Sequence, residues 1–301
     1  MQTEQATVNG ISITYEDKGP RDAPVILLVM GLGGQLTLWP DEFVDGLNER
    51  GFRTIRYDNR DVGLSTRFDA AGIPNVKWMI VKSVIGLPVR PAYTLADMAA
   101  DGIGLLDHLG IDRAHIVGVS MGGMISQHIA ARYPKRVLSL TSVMSTTGNR
   151  RLPRAQKEAM RVLANRPMSG DKEALVAYSV GAARVIGSPG YPSAEDRLQA
   201  RVRADFERGW YPQGVARQMA AIVADGDRRP MLKKIKAPTL VIHGEDDPLV
   251  PLPGGRDTAD NIAGARLLTI PGMGHDLPLA LVDRLADAIA EHLDETTAIA
   301  A

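Results

Sequence analysis

Ser120 stands at the centre of Gly118-Val119-Ser120-Met121-Gly122, with the apolar run Ala114-His115-Ile116-Val117 before it and the helix-like stretch Gly123 to Ala130 after it. A strand that turns abruptly into a helix strains the backbone at the serine. It also demands small neighbours, because side chains there would strike the strand and the helix. Such a turn aims the hydroxyl out of the sheet, which is how a nucleophilic serine is presented. Taken alone, the pattern also fits a plain strand-to-helix turn with a serine N-cap. The choice between the two depends on a base and an acid elsewhere in the chain.

A serine hydroxyl is a poor nucleophile until a base takes its proton, and the base needs a carboxylate to orient it. Of the six histidines, His243, His275 and His292 lie well downstream of Ser120. His275 closes the glycine-rich stretch Pro271-Gly272-Met273-Gly274-His275 directly after an apolar run, and it is the candidate base. His243 falls inside an apolar strand and reads as a core histidine, whereas His292 on the terminal helix reads as solvated. For the acid, Gly244-Glu245-Asp246-Asp247-Pro248 forms a tight turn at a strand end, with Asp247 as the candidate and Asp246 next. The stretch Met144-Ser145-Thr146-Thr147, after the preceding strand, holds no carboxylate. Two backbone N–H donors should stabilise an oxyanion. Met121, just after the serine, supplies one. Leu32 in Gly31-Leu32-Gly33-Gly34 is the better candidate for the other, with Gly31 and Gly33 letting the backbone approach the substrate.

The elements that must position these residues alternate. Strands are expected at Ile11–Glu16, Val25–Met30, Arg53–Asp58, before the Ser120 turn, at Arg136–Val143, at Pro238–His243 and at Arg266–Ile270. Helices are expected over about 39–50, over 95–109 with Thr94 as N-cap, after Ser120, and over about 279–293, with a frayed tail from about Glu295. Alternation of this kind implies an α/β fold with a mostly parallel sheet covered on both faces. Between 147 and 232 the pattern is helical with no convincing core strand, which reads as an inserted cap. The core is then 1–146 with 233–301.

The bulk properties exclude several classes. The 301 residues are 45% hydrophobic and 23% charged, ordinary for a globular chain. Thirty-five basic residues balance 35 acidic ones, so no charge excess recommends nucleic acid. With no cysteine there is no disulfide, thiolate nucleophile or cysteine-ligated zinc. The polar start Met1-Gln2-Thr3-Glu4-Gln5 lacks the pattern of a signal peptide, and no run spans a bilayer. The expectation is a cytoplasmic monomer or homodimer without an integral membrane segment, acting on a small-molecule ester without cofactor or metal.

With these residues assembled, the chain resembles the α/β-hydrolase superfamily from about residue 6 to 293, and within it the aclacinomycin methylesterase-like and LipG-like bacterial esterases. The resemblance rests on Val29–Gly34, Tyr57-Asp58-Asn59-Arg60-Asp61-Val62-Gly63-Leu64-Ser65, Gly118–Gly123, Gly244–Pro251 and Gly272–His275. It implies an eight-stranded sheet and the chain order nucleophile, acid, base, carried onto Ser120, Asp247 and His275. Many relatives have His-Gly where this chain has Met30-Gly31, and Arg-Gly where it has Arg60-Asp61, a loop expected to be structural. Relatives that open epoxides or remove halides place an aspartate at the turn. Ser120 therefore favours acyl transfer to water.

The expected chemistry has two steps. Ser120 attacks the acyl carbon as His275 takes its proton, the Leu32 and Met121 amides hold the oxyanion, and water then repeats the sequence on the acyl-enzyme. The rate should fall on acidification, as the imidazole is protonated. Rival readings are a carbon–carbon bond hydrolase, a perhydrolase or haloperoxidase at the same residues, and a binding module without turnover. Cap residues including Met160, Tyr178, Phe206, Trp210 and Met219 are candidates to shape the pocket. The segment Val76–Pro88 is unusually apolar for a loop. As a short helix it would line the entrance, with Trp78 contacting substrate, or graze a lipid surface; otherwise it packs against the cap.

Overall fold

The computed structural model describes residues 2–300, with side chains described through Thr296. Eight strands run β1 (Glu4–Val8), β2 (Ile11–Lys18), β3 (Val25–Val29), β4 (Arg53–Tyr57), β5 (Ala114–Val119), β6 (Val137–Val143), β7 (Thr239–Gly244) and β8 (Arg266–Ile270). They form one sheet in the order β1-β2-β4-β3-β5-β6-β7-β8. β2 is antiparallel to both its neighbours, and every pairing from β4 to β8 is parallel. The central strands are buried from end to end, as strands covered on both faces must be.

The helices are α1 (Asp41–Glu49), α2 (Val76–Val84), α3 (Leu95–His108), α4 (Met121–Arg132), α5 (Lys157–Ala164), α6 (Lys172–Ile186), α7 (Glu195–Gly209), α8 (Pro212–Asp225), the single turn α9 (Arg229–Leu232), α10 (Pro253–Asp260) and α11 (Val282–Ala300). β3 shows how the layers arise. Leu27 and Val29 join the cluster built with α3 and α4, while Ile26 and Leu28 join the one built with α1 and α11. A period of two thus feeds two cores, one on each face. α3 starts at Thr94 with a reciprocal cap: Asp97 N donates to Thr94 Oγ1, and Thr94 N donates to Asp97 Oδ2. Helices α5 to α9 all lie in the connection from β6 to β7.

The structure adds one strand to the expected set and adjusts three other readings. β1 was not anticipated: its side chains bury only at Ala6 and Val8, too weak an alternation to announce an edge strand. The first helix starts at Asp41, because Pro40 serves as its N-cap, and Trp39 before it is 1% exposed. His292 is not solvated. It lies on the face of α11 that packs against the sheet, is 3% exposed, and burial pushes its imidazole pKa below the ordinary value. At the start of the expected tail the chain is still helical and packed: α11 runs Val282–Ala300, Thr296 is buried, and Arg266 pairs with Glu295 at 2.8 Å.

Candidate active site

Parallel strands deliver their C-terminal ends to one edge of the sheet, and three of those ends carry the site. Ser120 follows β5 with φ +57° and ψ −118°, a conformation rarely adopted by a residue with a side chain. The turn is held by Ser120 N donating to Val143 O at 2.9 Å and by Ser145 Oγ donating to Ser120 O at 2.8 Å. Its glycines are required by contact. A methyl group on Gly118 would lie 2.2 Å from Ser126 Oγ, and one on Gly122 only 2.0 Å from Val29 O.

Ser120 Oγ lies 2.9 Å from His275 Nε2, and His275 Nδ1 lies 2.7 Å from Asp247 Oδ2. Asp247 follows β7 and His275 follows β8. The other carboxylate oxygen, Asp247 Oδ1, accepts the Leu249 and Val250 amides at 2.8 Å each, which fixes the plane of the acid. These contacts assign Nδ1–H to the acid and leave Nε2 to accept the serine proton. His275 N donates to Ile186 O at 2.7 Å, so the end of α6 also holds the imidazole loop. His243 is fully buried, and its Nε2 donates to Val250 O at 2.7 Å. Burial lowers its pKa and keeps it a neutral core group. Asp246 instead accepts the Gly272 amide at 2.8 Å.

The loop after β3 faces the serine from the opposite side. A methyl on Gly31 would lie 3.2 Å from Ser120 Cβ. Leu32 lines the cavity beside it, and its N–H makes no loop or turn hydrogen bond to backbone among the described residues. Met121 N belongs to the first turn of α4, where amides have no partner within the helix. Neither the Leu32 nor the Met121 N–H appears among the loop, turn and cap hydrogen bonds of the described residues. Gly33 has φ +64°, and its N–H is already taken by Gln218 Oε1 at 2.8 Å. Asn59 Nδ2 donates to Met30 O at 3.0 Å and steadies the same loop.

Above these groups lies a cavity of about 910 Å³, lined by Gly31, Gly33, Ser120, Met121, His275 and Trp210 together with residues of α5 to α8. The volume falls at the upper end of the ~300–1,000 Å³ typical of ligand sites. Trp210 stacks on Phe206, their ring centroids 5.2 Å apart. Trp78 lines none of the cavity. It sits on the outer side of α2, 51% exposed, with Lys82 Nζ 5.9 Å from its ring centre, while α8 supplies the adjoining wall. Three arginines, Arg166, Arg184 and Arg201, line the cavity. Arg184 pairs with Glu195, whereas Arg166 makes no hydrogen bond or ion pair among the described residues, and burial pushes its guanidinium pKa down. No group of three or more His, Asp or Glu side chains is placed to hold a metal ion among the described residues.

Several contacts tie α7 and α8 to the sheet and had no signal in the sequence. Gln218 bridges the Gly33 amide and Arg60 O, the second at 2.9 Å. Arg217 chelates Asp61, with two N–H donors at 2.8 Å. Arg208 reaches Asp58 at 2.7 Å, and burial pushes the Asp58 carboxyl pKa up. The Arg60 guanidinium pairs with Asp101 at 2.6 Å. Both residues of the Arg60-Asp61 dipeptide are thus structural anchors, as their loop suggested.

A sheet of this order, with a serine turn after β5 and a histidine loop after β8, is the architecture of one superfamily. The family model described as the alpha/beta hydrolase fold matches residues 24–279, and the chain belongs to that family. It is 31% identical to rhodomycin D methylesterase DauP of Streptomyces sp. (strain C5), over 99% of this chain and 100% of that protein. It is 27% identical to the bifunctional esterase/perhydrolase DCH of Acinetobacter calcoaceticus, over 90% of this chain and 92% of that one. Among solved structures, the enol-lactonase from Burkholderia xenovorans LB400 superposes with a TM-score of 0.71 at 26% identity, covering 97% of this chain and 100% of the other.

Proposed function

We propose that this protein is a carboxylic-ester hydrolase that works through an acyl-enzyme on Ser120. The observation that carries the reading is the unbroken relay from Ser120 Oγ through His275 to Asp247, opening into a large and mainly apolar cavity. His275 takes the Ser120 proton as the oxygen attacks the acyl carbon. The Leu32 and Met121 amides receive the developing oxyanion, and removing one such donor typically costs ~100–1,000-fold in rate. His275 then protonates the leaving alcohol, water enters, and the same proton path runs again. Asp247 keeps the imidazole in the productive tautomer and offsets its charge.

In this reading residues 147–232 form a cap over a core of 1–146 and 233–301, and the cap makes the acyl pocket. The cavity volume suits a bulky acyl part, and the rhodomycin D methylesterase relative makes a methyl ester the first substrate class to offer. The test is kcat/KM on p-nitrophenyl esters from acetate to palmitate and on methyl esters of bulky carboxylic acids, with Ser120→Ala as control. Turnover that vanishes in the variant supports the serine ester hydrolase. Turnover unchanged in Ser120→Ala, or none on any ester in folded protein, overturns it.

A further inference from the structure

The large apolar side chains left in water are not scattered over this protein. Eleven are exposed among the described residues, and six of them, Trp78, Ile80, Val81, Val84, Ile85 and Leu87, fall within ten positions on α2 and the loop after it. α2 has no buried residue at all. One face leans on α8, where Ser83 Oγ donates to Val223 O at 3.3 Å. The other face is apolar and open. A helix that is apolar on its solvent side needs a partner, because water is the wrong environment for it.

The charges on the segment that carries the patch are all of one sign. Between Ile73 and Tyr93 there is no Asp or Glu, while Lys77, Lys82 and Arg90 are present. From the neighbouring loop Arg150 donates to Ser83 O at 2.6 Å and to Ser83 Oγ at 2.7 Å, and Arg151 beside it is exposed. The nearest carboxylate on the supporting helix, Asp225, is already paired with Arg228 and His128. A Trp-containing apolar face fringed by lysine and arginine matches the chemistry of an anionic lipid interface. A second copy of the chain fits less well, since a two-fold contact through this patch would set basic rims against each other.

We propose that α2 and the loop through Arg90 insert shallowly into an anionic phospholipid surface, holding the protein at the membrane with α8 between the lipid and the cavity. The contact is peripheral, since no helix among the described residues is long and apolar enough to cross a membrane. This proposal stands apart from the ester chemistry and does not need it.

The experiment is co-sedimentation of the whole protein with vesicles of phosphatidylcholine alone and of phosphatidylcholine mixed with phosphatidylglycerol. It compares wild type with Val84→Glu/Ile85→Glu, two exposed residues outside the cavity. Circular dichroism checks that the variant is folded, and light scattering reports oligomeric state. The wild type should pellet with the phosphatidylglycerol vesicles, release in high salt, and bind at least ~10-fold more tightly than the variant. A wild type that stays in the supernatant, a variant that binds equally well, or a dimer that the variant dissociates would each overturn the proposal. The last outcome would give the patch to a second copy of the chain.

Discussion

Replacing Arg217 with methionine tests whether one buried ion pair fastens α8 to the sheet. Arg217 is 2% exposed and Asp61 is fully buried. Besides the two 2.8 Å contacts to Asp61, the guanidinium donates to Gly72 O at 2.8 Å and to Tyr211 Oη at 2.5 Å. In Arg217→Met the Asp61 carboxylate keeps the Phe68 amide at 2.8 Å but loses its cation. Stranding a buried charge in this way costs about 3–5 kcal/mol, because the penalty of removing the carboxylate from water is no longer offset. Breaking an exposed pair such as Lys172–Glu207, which water screens on all sides, costs far less, so the two cases are easily separated. Urea unfolding followed by circular dichroism measures the loss. The double variant Asp61→Asn/Arg217→Met removes the stranded charge and should recover at least ~1 kcal/mol relative to the single variant. Function should suffer too, because Gln218, the next residue of α8, holds the Gly33 amide beside the serine. A loss below about 1 kcal/mol in Arg217→Met, or a double variant no more stable than the single, would refute the argument.

Three further outcomes are expected. Asp247→Asn should lower kcat on a p-nitrophenyl ester by about 10⁴-fold while leaving the fold intact, because the amide cannot hold the same imidazole tautomer; a loss under ~10-fold would remove Asp247 from the proton path. Gly122→Ala should lose soluble, active protein, since its methyl would meet the Val29 carbonyl at 2.0 Å and that backbone is pinned within the sheet; wild-type yield and activity would contradict the close-approach reading. Stability should fall on acidification. Burial pushes the His115 pKa down from 6.5 to about 4, so between those values the unfolded chain binds a proton that the folded one does not. The contribution is present above pH 6.5 and is lost as pH falls toward 4, amounting to about 3 kcal/mol at most. His243 and His292 are shifted in the same direction by burial. Urea titrations at several pH values should show a shallower slope in His115→Leu; an unchanged slope would show that this imidazole is not the group responsible.

How much of this architecture can be read from the chain follows from the range of the interactions involved. Ser120, Asp247 and His275 are 127 and 28 residues apart in sequence order, yet each lies just after a strand whose apolar run is local and visible. Parallel pairing then brings the three strand ends to one edge without further information. The glycines of the Ser120 turn are legible for the same reason, because their contacts are with the adjacent strand and helix. The helical segment from α5 to α9 behaves differently. Whether Trp78 or Trp210 faces the cavity is decided by how α2, α7 and α8 dock, and an aromatic side chain carries no label saying which side its helix will turn inward. The anchors of that docking are single long-range pairs: Arg217 with Asp61, Arg208 with Asp58, Gln218 with Gly33. A lone arginine on a helix ordinarily reads as solvated, and only the buried aspartates 150 or more residues upstream make it otherwise. His292 obeys the same logic. Its charge-bearing side chain suggested water, while its place on the inward stripe of α11 put it in the core. Local periodicity thus specifies the sheet and the strand ends that carry the reacting groups, whereas the pocket above them depends on buried polar pairs whose partners are distant in sequence.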